Sequence, residues 1–480
     1  MISYRKKGKF VKKNVKKYLL SEFLGLRRGK ENSTLPANYT DKCFNFTMQD
    51  SRLKEGYGVK KLKSVDGADY EPTQYTIERI YAYPSNKRNE RELVLSAEDV
   101  IYRLKESEKY WQFQNLFPSH EEGALTTVDE RPVLLIPKKN KGIYIYDGFN
   151  FSDAEVNIAP TAMCSHYGRV FAVDKNDEYR LIFSDVGDPT NWNVSLDEGG
   201  RIYMDVEDGR ILKLISHGGH LYIFREYSIY RLTAYGDQRD FVMKKVANTT
   251  AKVWKDTVAL CDNRIIFLTR AGAYQFDGYN VGEIMKGYSS YLTGIVGKPF
   301  GSFFNGKYYL ALKNKYSDGK NSVEGSDNIS NDDINDTLLT YDTQSSDVSL
   351  SSNVYIKNMQ PLRSRDGEEC LLAVGYSLYY LGYVDKGSGF FERPVEKIWE
   401  SPRIDFLSPG EEKEIDGISV PEGGSYVFGI SADGSIRRDY QVDGRKKYIP
   451  IGIRGKSFVF TIRAKSGSKD ILSPYVYVKS

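Results

Sequence analysis

The side chains of this sequence that could do chemistry are four histidines, four cysteines and 64 carboxylates. His120, His166, His217 and His220 stand in no HxxEH, HxH or triad-like setting, and the last two flank a Gly-Gly turn. Without ligand spacing or an orienting acid, such histidines read as surface or hydrogen-bonded core residues. Cys43, Cys164, Cys261 and Cys370 are scattered, with no CxxC pair, which excludes the common zinc spacings and a dense disulfide framework. They read as free thiols of a reducing compartment. There is no GxSxG, no Walker loop and no dinucleotide glycine fingerprint. A carboxylate pair for glycoside hydrolysis is left open by counting alone. The one stretch close to a sialidase-type Ser-x-Asp-x-Gly-x-x-Trp turn is Ser184-Asp185-Val186-Gly187-Asp188-Pro189-Thr190-Asn191-Trp192. Its aspartate follows the serine directly and its tryptophan lies too far from the glycine. Asp327-Asn328-Ile329-Ser330-Asn331-Asp332 lacks both the alternating ligands and the glycine of a calcium loop. The expectation is a protein without a reaction, cofactor or metal of its own.

The elements that would position these residues are strands. The chain holds 37 Tyr, 23 Phe and 42 Gly against 7 Met, a composition that suits pleated, half-buried surfaces punctuated by turns. Seven segments read as strand, short turn, strand. They run from Glu92 to Leu104, Pro132 to Tyr146, Gly168 to Phe183, Gly219 to Leu232, Arg264 to Phe276, Gly306 to Tyr341 and Leu371 to Leu381. Their starts lie 36 to 65 residues apart. Repeats of about 40–50 residues, each one small antiparallel sheet, mark a β-propeller. One hairpin cannot bury its apolar face alone, whereas sheets stacked in a ring bury every face. A pair of β-sandwiches is the competing arrangement. The expected fold is therefore all-β, a propeller of six to eight blades, with seven as the count of hairpins.

Three regions depart from the repeat. Residues 1–30 carry eleven basic residues and one acid, Glu22; the rest of the chain then has 57 basic and 63 acidic residues. Val11, Val15, Tyr18 and Leu19 recur at helical spacing, and Phe23 follows, which predicts a short amphipathic docking helix in a basic arm over residues 1–40. Ser317 to Asp336 are almost wholly Ser, Asp, Asn and Gly, a composition for a long disordered loop inside the sixth hairpin. From 396 to 480 the chain turns to alternating strands with tight turns such as Ala432-Asp433-Gly434, enough for a small C-terminal β-sandwich. The propeller is then expected over 41–395. No apolar run approaches the ~20 residues of a membrane helix.

Phe183-Ser184-Asp185-Val186-Gly187-Asp188-Pro189-Thr190-Asn191-Trp192-Asn193 resembles the FSDVGDPxNW segment of phage structural proteins. In particular, it is similar to the tail nozzle (tubular protein B) and stabilisation proteins of short-tailed phages. Gly168 to Val173, Gly219 to Phe224, Phe23-Leu24-Gly25-Leu26, Cys43-Phe44-Asn45-Phe46 and Leu53 to Gly58 add to the resemblance, which covers about residues 20–285. Lys54-Glu55-Gly56 stands where those proteins have an arginine-glycine, and the chain is shorter than a typical nozzle protein. Read physically, the motif is a strand ending at Phe183, a turn through Ser184, Asp185, Gly187, Asp188 and Pro189, and Trp192 folding back as an apolar anchor. The resemblance implies a virion protein assembled in the host cytoplasm. It would form a homo-oligomeric ring at the tail end or the head–tail junction, touching other tail, adaptor or portal proteins, with phage DNA passing through transiently and no stable membrane insertion. On that reading Val11, Val15, Tyr18, Leu19 and Phe23 dock a neighbour. The alternative is a receptor-binding propeller that recognises host-surface glycans, and a tail-borne glycan hydrolase is a third.

Overall fold

The computed structural model describes residues 15–479 apart from 27–37, 41, 65, 71–72, 85–91, 106, 109, 197, 314–333, 364–368, 377–379, 388 and 466. The chain divides into two compact units, Tyr57–Arg393 and the combination of Met1–Gly56 with Pro394–Ser480.

The first unit consists of seven four-stranded antiparallel sheets, spanning 79–114, 124–154, 160–203, 211–248, 259–284, 296–352, and 358–386 together with 57–61. We number them blades 1 to 7. The first strands of blades 2, 3 and 4 lie side by side, as do those of blades 5, 6, 7 and 1, and shared cores join blade 1 to blade 2 and blade 4 to blade 5. The ring is thus a closed seven-bladed β-propeller. The first six hairpins of the sequence are the second and third strands of blades 1 to 6; in blade 7 the second strand is Glu369–Val374 as expected, but the third is Leu381–Lys386 and shares only Leu381 with the expected hairpin. Those strands are covered on both faces, so they carry an almost continuous apolar signal. Their alternation divides them between neighbours. Leu93 and Leu95 face blade 7 while Val94 faces blade 2. Leu221 and Ile223 face blade 3 while Tyr222 and Phe224 face blade 5. A one-residue slip in any blade would exchange both interfaces at once.

Buried tyrosines tie blades together through their hydroxyls. Tyr83 of blade 1 donates to the Pro132 carbonyl of blade 2 at 3.2 Å, and Tyr146 of blade 2 donates to the buried Glu92 carboxylate of blade 1. The ring closes with the first and last parts of its sequence in one sheet. Tyr57–Lys61 pairs antiparallel with Leu381–Lys386, with Val59 opposite Val384.

The second unit has a four-stranded, a five-stranded and a three-stranded sheet, each built from both ends of the chain, and a short pairing of Gly25–Leu26 with Tyr39–Thr40. Val15–Leu19 pairs with Tyr475–Lys479, Lys42–Phe44 with Glu396–Glu400, and Arg52–Glu55 with Ile471–Leu472. The Phe406 ring lies 5.0 Å from Tyr18 of the four-stranded sheet and 6.0 Å from Phe458 beside the five-stranded one, so the two sheets face each other as a sandwich.

Three expectations are corrected here. The ring begins at Tyr57 rather than 41, because residues 42–55 hydrogen-bond to strands near the far end of the chain. Val15–Leu19 is a strand and not a helix. Its edge-to-edge bonds to Tyr475–Lys479 satisfy the backbone that a lone short helix would have to satisfy by itself. Residues 317–333 of the long loop lie outside the described residues, but Ile334, Asn335 and Asp336 are buried in the ring. Asn335 Nδ2 donates to the carbonyls of Lys298 and Ile356 at 2.9 and 3.1 Å.

Deleting residues 317–333 with a short Gly-Ser replacement is therefore expected to move the melting temperature by only a few degrees, since closure entropy changes slowly with loop length. Extending the deletion through 336 should cost about 1–3 kcal/mol more, because the carbonyls that Asn335 serves lose their donor. Thermal unfolding of the two deletions, followed by circular dichroism, separates these outcomes.

Candidate interaction surface

In an antiparallel four-stranded blade the first-to-second and third-to-fourth turns open on the same side. Seven blades in one ring place all these turns on one face. The motif at 183–192 forms the third-to-fourth loop of blade 3, and its hydrogen bonds account for its residue types. Phe183 ends the strand, buried in the blade 3–4 core. Ser184 is fully buried; its Oγ accepts from the Val170 amide at 3.0 Å and its own amide donates to the Val170 carbonyl at 2.9 Å. The Asp185 amide donates to the Asn191 carbonyl at 2.8 Å, and Asp185 lies 3.8 Å from Arg169. Gly187, at φ +77°, takes a left-handed turn, and its amide donates to the Gly168 carbonyl at 2.7 Å. Asp188 Oδ1 accepts from the Thr190 amide and hydroxyl at 2.8 and 2.6 Å. Pro189 is buried, and its carbonyl accepts the Trp192 indole N–H at 2.8 Å. Trp192 is half-buried against the blade 2–3 core. The segment is a loop closed by hydrogen bonds within itself and to Gly168 and Val170, and its tryptophan is not fully covered.

What the loop presents is Val186, beside the Tyr167-Gly168 turn; a side chain added at Gly168 would lie 3.3 Å from Val186. Tyr167 meets Tyr235 of blade 4 edge-on at 5.1 Å. Two further turns on this face display an aromatic ring by the same device. Asp147 Oδ1 accepts the amides of Phe149 and Asn150 at 2.8 and 2.7 Å, and Asp277 Oδ1 those of Tyr279 and Asn280 at 2.9 and 2.7 Å. Each aspartate spends its oxygen on its own turn, and the ring between is thrust outward. The amides of Asn280 and Tyr279 hold the Asp277 carboxyl below its usual range. Phe149, Tyr235 and Tyr279 are 68, 73 and 75% exposed, which makes them surface anchors rather than core residues. Blade 6 uses the same turn, Asp342 accepting from Gln344 and Ser345, but carries no aromatic at the tip. Sequence reading missed these tips because it stopped each hairpin at Tyr146 and Phe276. The signal was the near-identity of Tyr146-Asp147-Gly148-Phe149-Asn150 and Phe276-Asp277-Gly278-Tyr279-Asn280.

Ion pairs cross the ring. Arg79 of blade 1 reaches Asp256, just before blade 5, at 3.1 Å; Lys255 reaches Glu121, just before blade 2, at 2.6 Å; and Lys213 of blade 4 pairs with Glu122. Burial would raise the Asp256 carboxyl, but Arg79, Lys255 and Lys213 hold it below its usual range. A cavity of about 410 Å³ is lined by Arg79, Glu122, Lys213 and Asp256.

Three of the four histidines pair with hydroxyls: His120 Nδ1 with Ser96 at 3.0 Å, His166 Nδ1 with Ser216 at 2.8 Å, and His220 Nδ1 with Thr233 at 3.1 Å. Burial, with His220 adding a smaller effect, lowers His166 to about 4, so it is neutral at pH 7. Burial pushes the thiols of Cys43 and Cys261 up, the opposite of a reactive thiolate. The segment 327–332 lies outside the described residues. Among the described residues no group of three or more His, Cys, Asp or Glu side chains is placed to hold a metal, and no helix is long and apolar enough to cross a membrane.

The residues expected to dock a partner are not gathered into one face. Val11 lies outside the described residues. Val15 and Leu19 are exposed on the edge strand, whereas Tyr18 packs on Phe406. Phe23 is core: it is buried at φ +48° with its ring 5.0 Å from Trp399.

By its own strand pairing the chain is a seven-bladed β-propeller carrying a discontinuous β-sandwich unit. No family model matches the sequence, and no curated protein does. Among solved structures it is similar to BBS1N in complex with ARL6DN, with 12% identity over 70% of this chain and 96% of that one, at a TM-score of 0.42. It is similar to the RRP9 WD40 repeats, with 8% identity over 66% and 96%, at 0.42. It is also similar to the extracellular domain of the putative one-component system BT4673 from B. thetaiotaomicron, with 10% identity over 78% and 47%, at 0.39.

Proposed function

We propose that this chain is a structural component of a phage tail, a nozzle or head–tail ring subunit that forms part of the conduit for genome ejection and catalyses no reaction. The observation that carries the reading is the placement of the FSDVGDPTNW segment. It lies on the ring face that exposes Val186, Tyr167 and Tyr235, the two tyrosine rings meeting edge-on, and subunit interfaces bury aromatic groups of this kind. The propeller axis is a poor path for DNA. A duplex whose major groove alone is about 12 Å wide cannot thread a small cavity crossed by ion pairs. The conduit is then a lumen enclosed by several copies, which calls for a closed homo-oligomeric ring with heterologous contacts. The mild acid excess of the chain beyond residue 30 suits a wall that lets phosphates pass without gripping them.

The Tyr167→Ser/Tyr235→Ser double variant is expected to keep the parental melting temperature within about 2 °C, since both rings are exposed, yet to weaken self-assembly at least tenfold. Mass photometry of the purified chain and incorporation into particles measure it. Unchanged assembly would remove this face from the interface. The second reading, a receptor-binding propeller for host-surface glycans, is favoured only by the singly displayed rings of Phe149 and Tyr279. It predicts glycan binding that is lost in Phe149→Ser and Tyr279→Ser.

A further inference from the structure

The ring face formed by the first-to-second and third-to-fourth turns displays Phe149, Tyr167, Tyr235 and Tyr279, and its charge is one-sided. The described residues of these turns in blades 2 to 6 hold eleven aspartates and glutamates against one cation, Arg239. Asp129, Glu130, Asp237, Asp240, Asp262 and Asp347 are all exposed. Among the described residues, Asp185 alone of the eleven has a cation within ion-pairing distance, Arg169 at 3.8 Å. Carboxylate and ring come together. Asp147 stands two residues before Phe149, Asp277 two before Tyr279, and Asp237 two after Tyr235.

A partner that buries the rings also covers the carboxylates beside them, and a carboxylate covered without a cation is costly. A polyanion is repelled by this face, and a neutral apolar surface leaves its acids unpaired. Lysine and arginine satisfy both halves at once, because the charged head pairs with the carboxylate and also lies over the ring.

The chain carries such a partner outside the ring unit. Tyr57–Arg393 has 40 basic and 47 acidic residues, whereas the other unit has 28 basic and 17 acidic. Residues 1–14 are its most one-sided part, with Arg5, Lys6, Lys7, Lys9, Lys12 and Lys13, no acid, and Tyr4, Phe10 and Val11 between the charges. They precede Val15–Leu19, the edge strand of its sheet. Fourteen residues reach at most about 50 Å when extended, and packed sheets stand about 10 Å apart, so one segment is long enough to cross the turns of several blades. The acidic face and the basic segment are different parts of one chain. Their contact between copies is therefore heterologous and repeats from copy to copy, as a closed ring needs.

We propose that the acidic, aromatic face of the propeller receives the basic segment 1–14 of a second copy of this chain. This contact presupposes the homo-oligomeric ring proposed above and supplies its two meeting surfaces.

The test uses two full-length variants. Arg5→Gln/Lys6→Gln/Lys7→Gln/Lys9→Gln neutralises the segment, and Asp129→Asn/Glu130→Gln/Asp240→Asn/Asp262→Asn neutralises the face. These four carboxylates are exposed and lie outside the hydrogen bonds and ion pairs of the described residues, so the face variant should melt within about 2 °C of the parent. In sedimentation velocity at about 50 mM NaCl, each variant alone is expected to self-associate at least tenfold more weakly than the parent. The parent should weaken by a similar factor at about 500 mM NaCl, where exposed charges are screened. Mixed in equal amounts, the two variants should form heterodimers, since the intact segment of one meets the intact face of the other. Mixtures as weak as each variant alone would place the segment on its own ring and overturn the proposal. A face variant that assembles like the parent would overturn it as well, and the ring would then stand on other surfaces. A parent that stays monomeric would remove the ring and this contact together. Heterodimers that form while the parent fails to enter particles would uphold the contact and remove the tail reading alone.

Discussion

Val59→Pro is expected to open the propeller. Val59 sits in the middle of Tyr57–Lys61, the strand that supplies the outer edge of blade 7, and its side chain is fully buried. Its amide donates to the Gly389 carbonyl at 2.9 Å, and proline removes that donor and clashes with the neighbouring backbone. The space around the strand has no slack. A Cβ on Gly58 would stand 2.0 Å from the Gly389 carbonyl oxygen, and one on Gly382 would stand 2.1 Å from that of Lys60. A lost seam costs more than its own bonds, because the strand Leu381–Lys386 becomes an unpaired edge and the neighbouring blades lose the closure that holds their faces together. The expected loss is about 3 kcal/mol or more, with low soluble yield and rapid proteolysis. A chain lacking residues 1–14, which leaves every described strand in place, should melt with the parent. If Val59→Pro melted with it too, closure would not depend on this strand.

Trp399→Ala is expected to destabilise the chain by about 3–5 kcal/mol, and Trp192→Ala by only about 1–2 kcal/mol. Trp399 is 1% exposed on an interior strand of the five-stranded sheet, with Phe23 edge-on against it, so truncation leaves a cavity in a packed core. Trp192 is half-buried at the rim of a loop, and its indole N–H bonds only the Pro189 carbonyl of that loop. Phe23→Ser should behave like Trp399→Ala, since it empties the other half of the same contact. Chemical denaturation followed by circular dichroism ranks the variants. A Trp192 effect as large as that of Trp399 would mean that the loop holds blades 2 and 3 together.

The central hairpins of the propeller were legible because the second and third strands of a blade are buried on both sides. Val94 to Leu95 or Tyr222 to Phe224 must then be apolar whatever lies around them. The outer strands were not legible. Gln112–Gln114 is wholly exposed and Val242–Asn248 has no buried residue, and a strand that covers a core from one side only imposes a weaker residue pattern. The rigid turn after Phe183 was readable from Ser, Asp, Gly and Pro, whose side chains and φ preferences act within a few residues.

By itself the sequence determined what depends on local chemistry: strand periodicity, the count of seven hairpins, the motif turn, and the lack of recognised catalytic motifs. Only the tertiary structure decided what depends on distant partners. Val15 to Leu19 carries spacing that suits a helix, yet Tyr475–Lys479, more than 450 residues away, offers it an edge and makes it a strand. Residues 42–55 join the sandwich for the same reason. Whether Tyr235 and Tyr279 are exposed anchors while Tyr146 and Tyr308 are core cannot follow from a residue type that suits both. The choice is made by which blade, if any, packs against each ring.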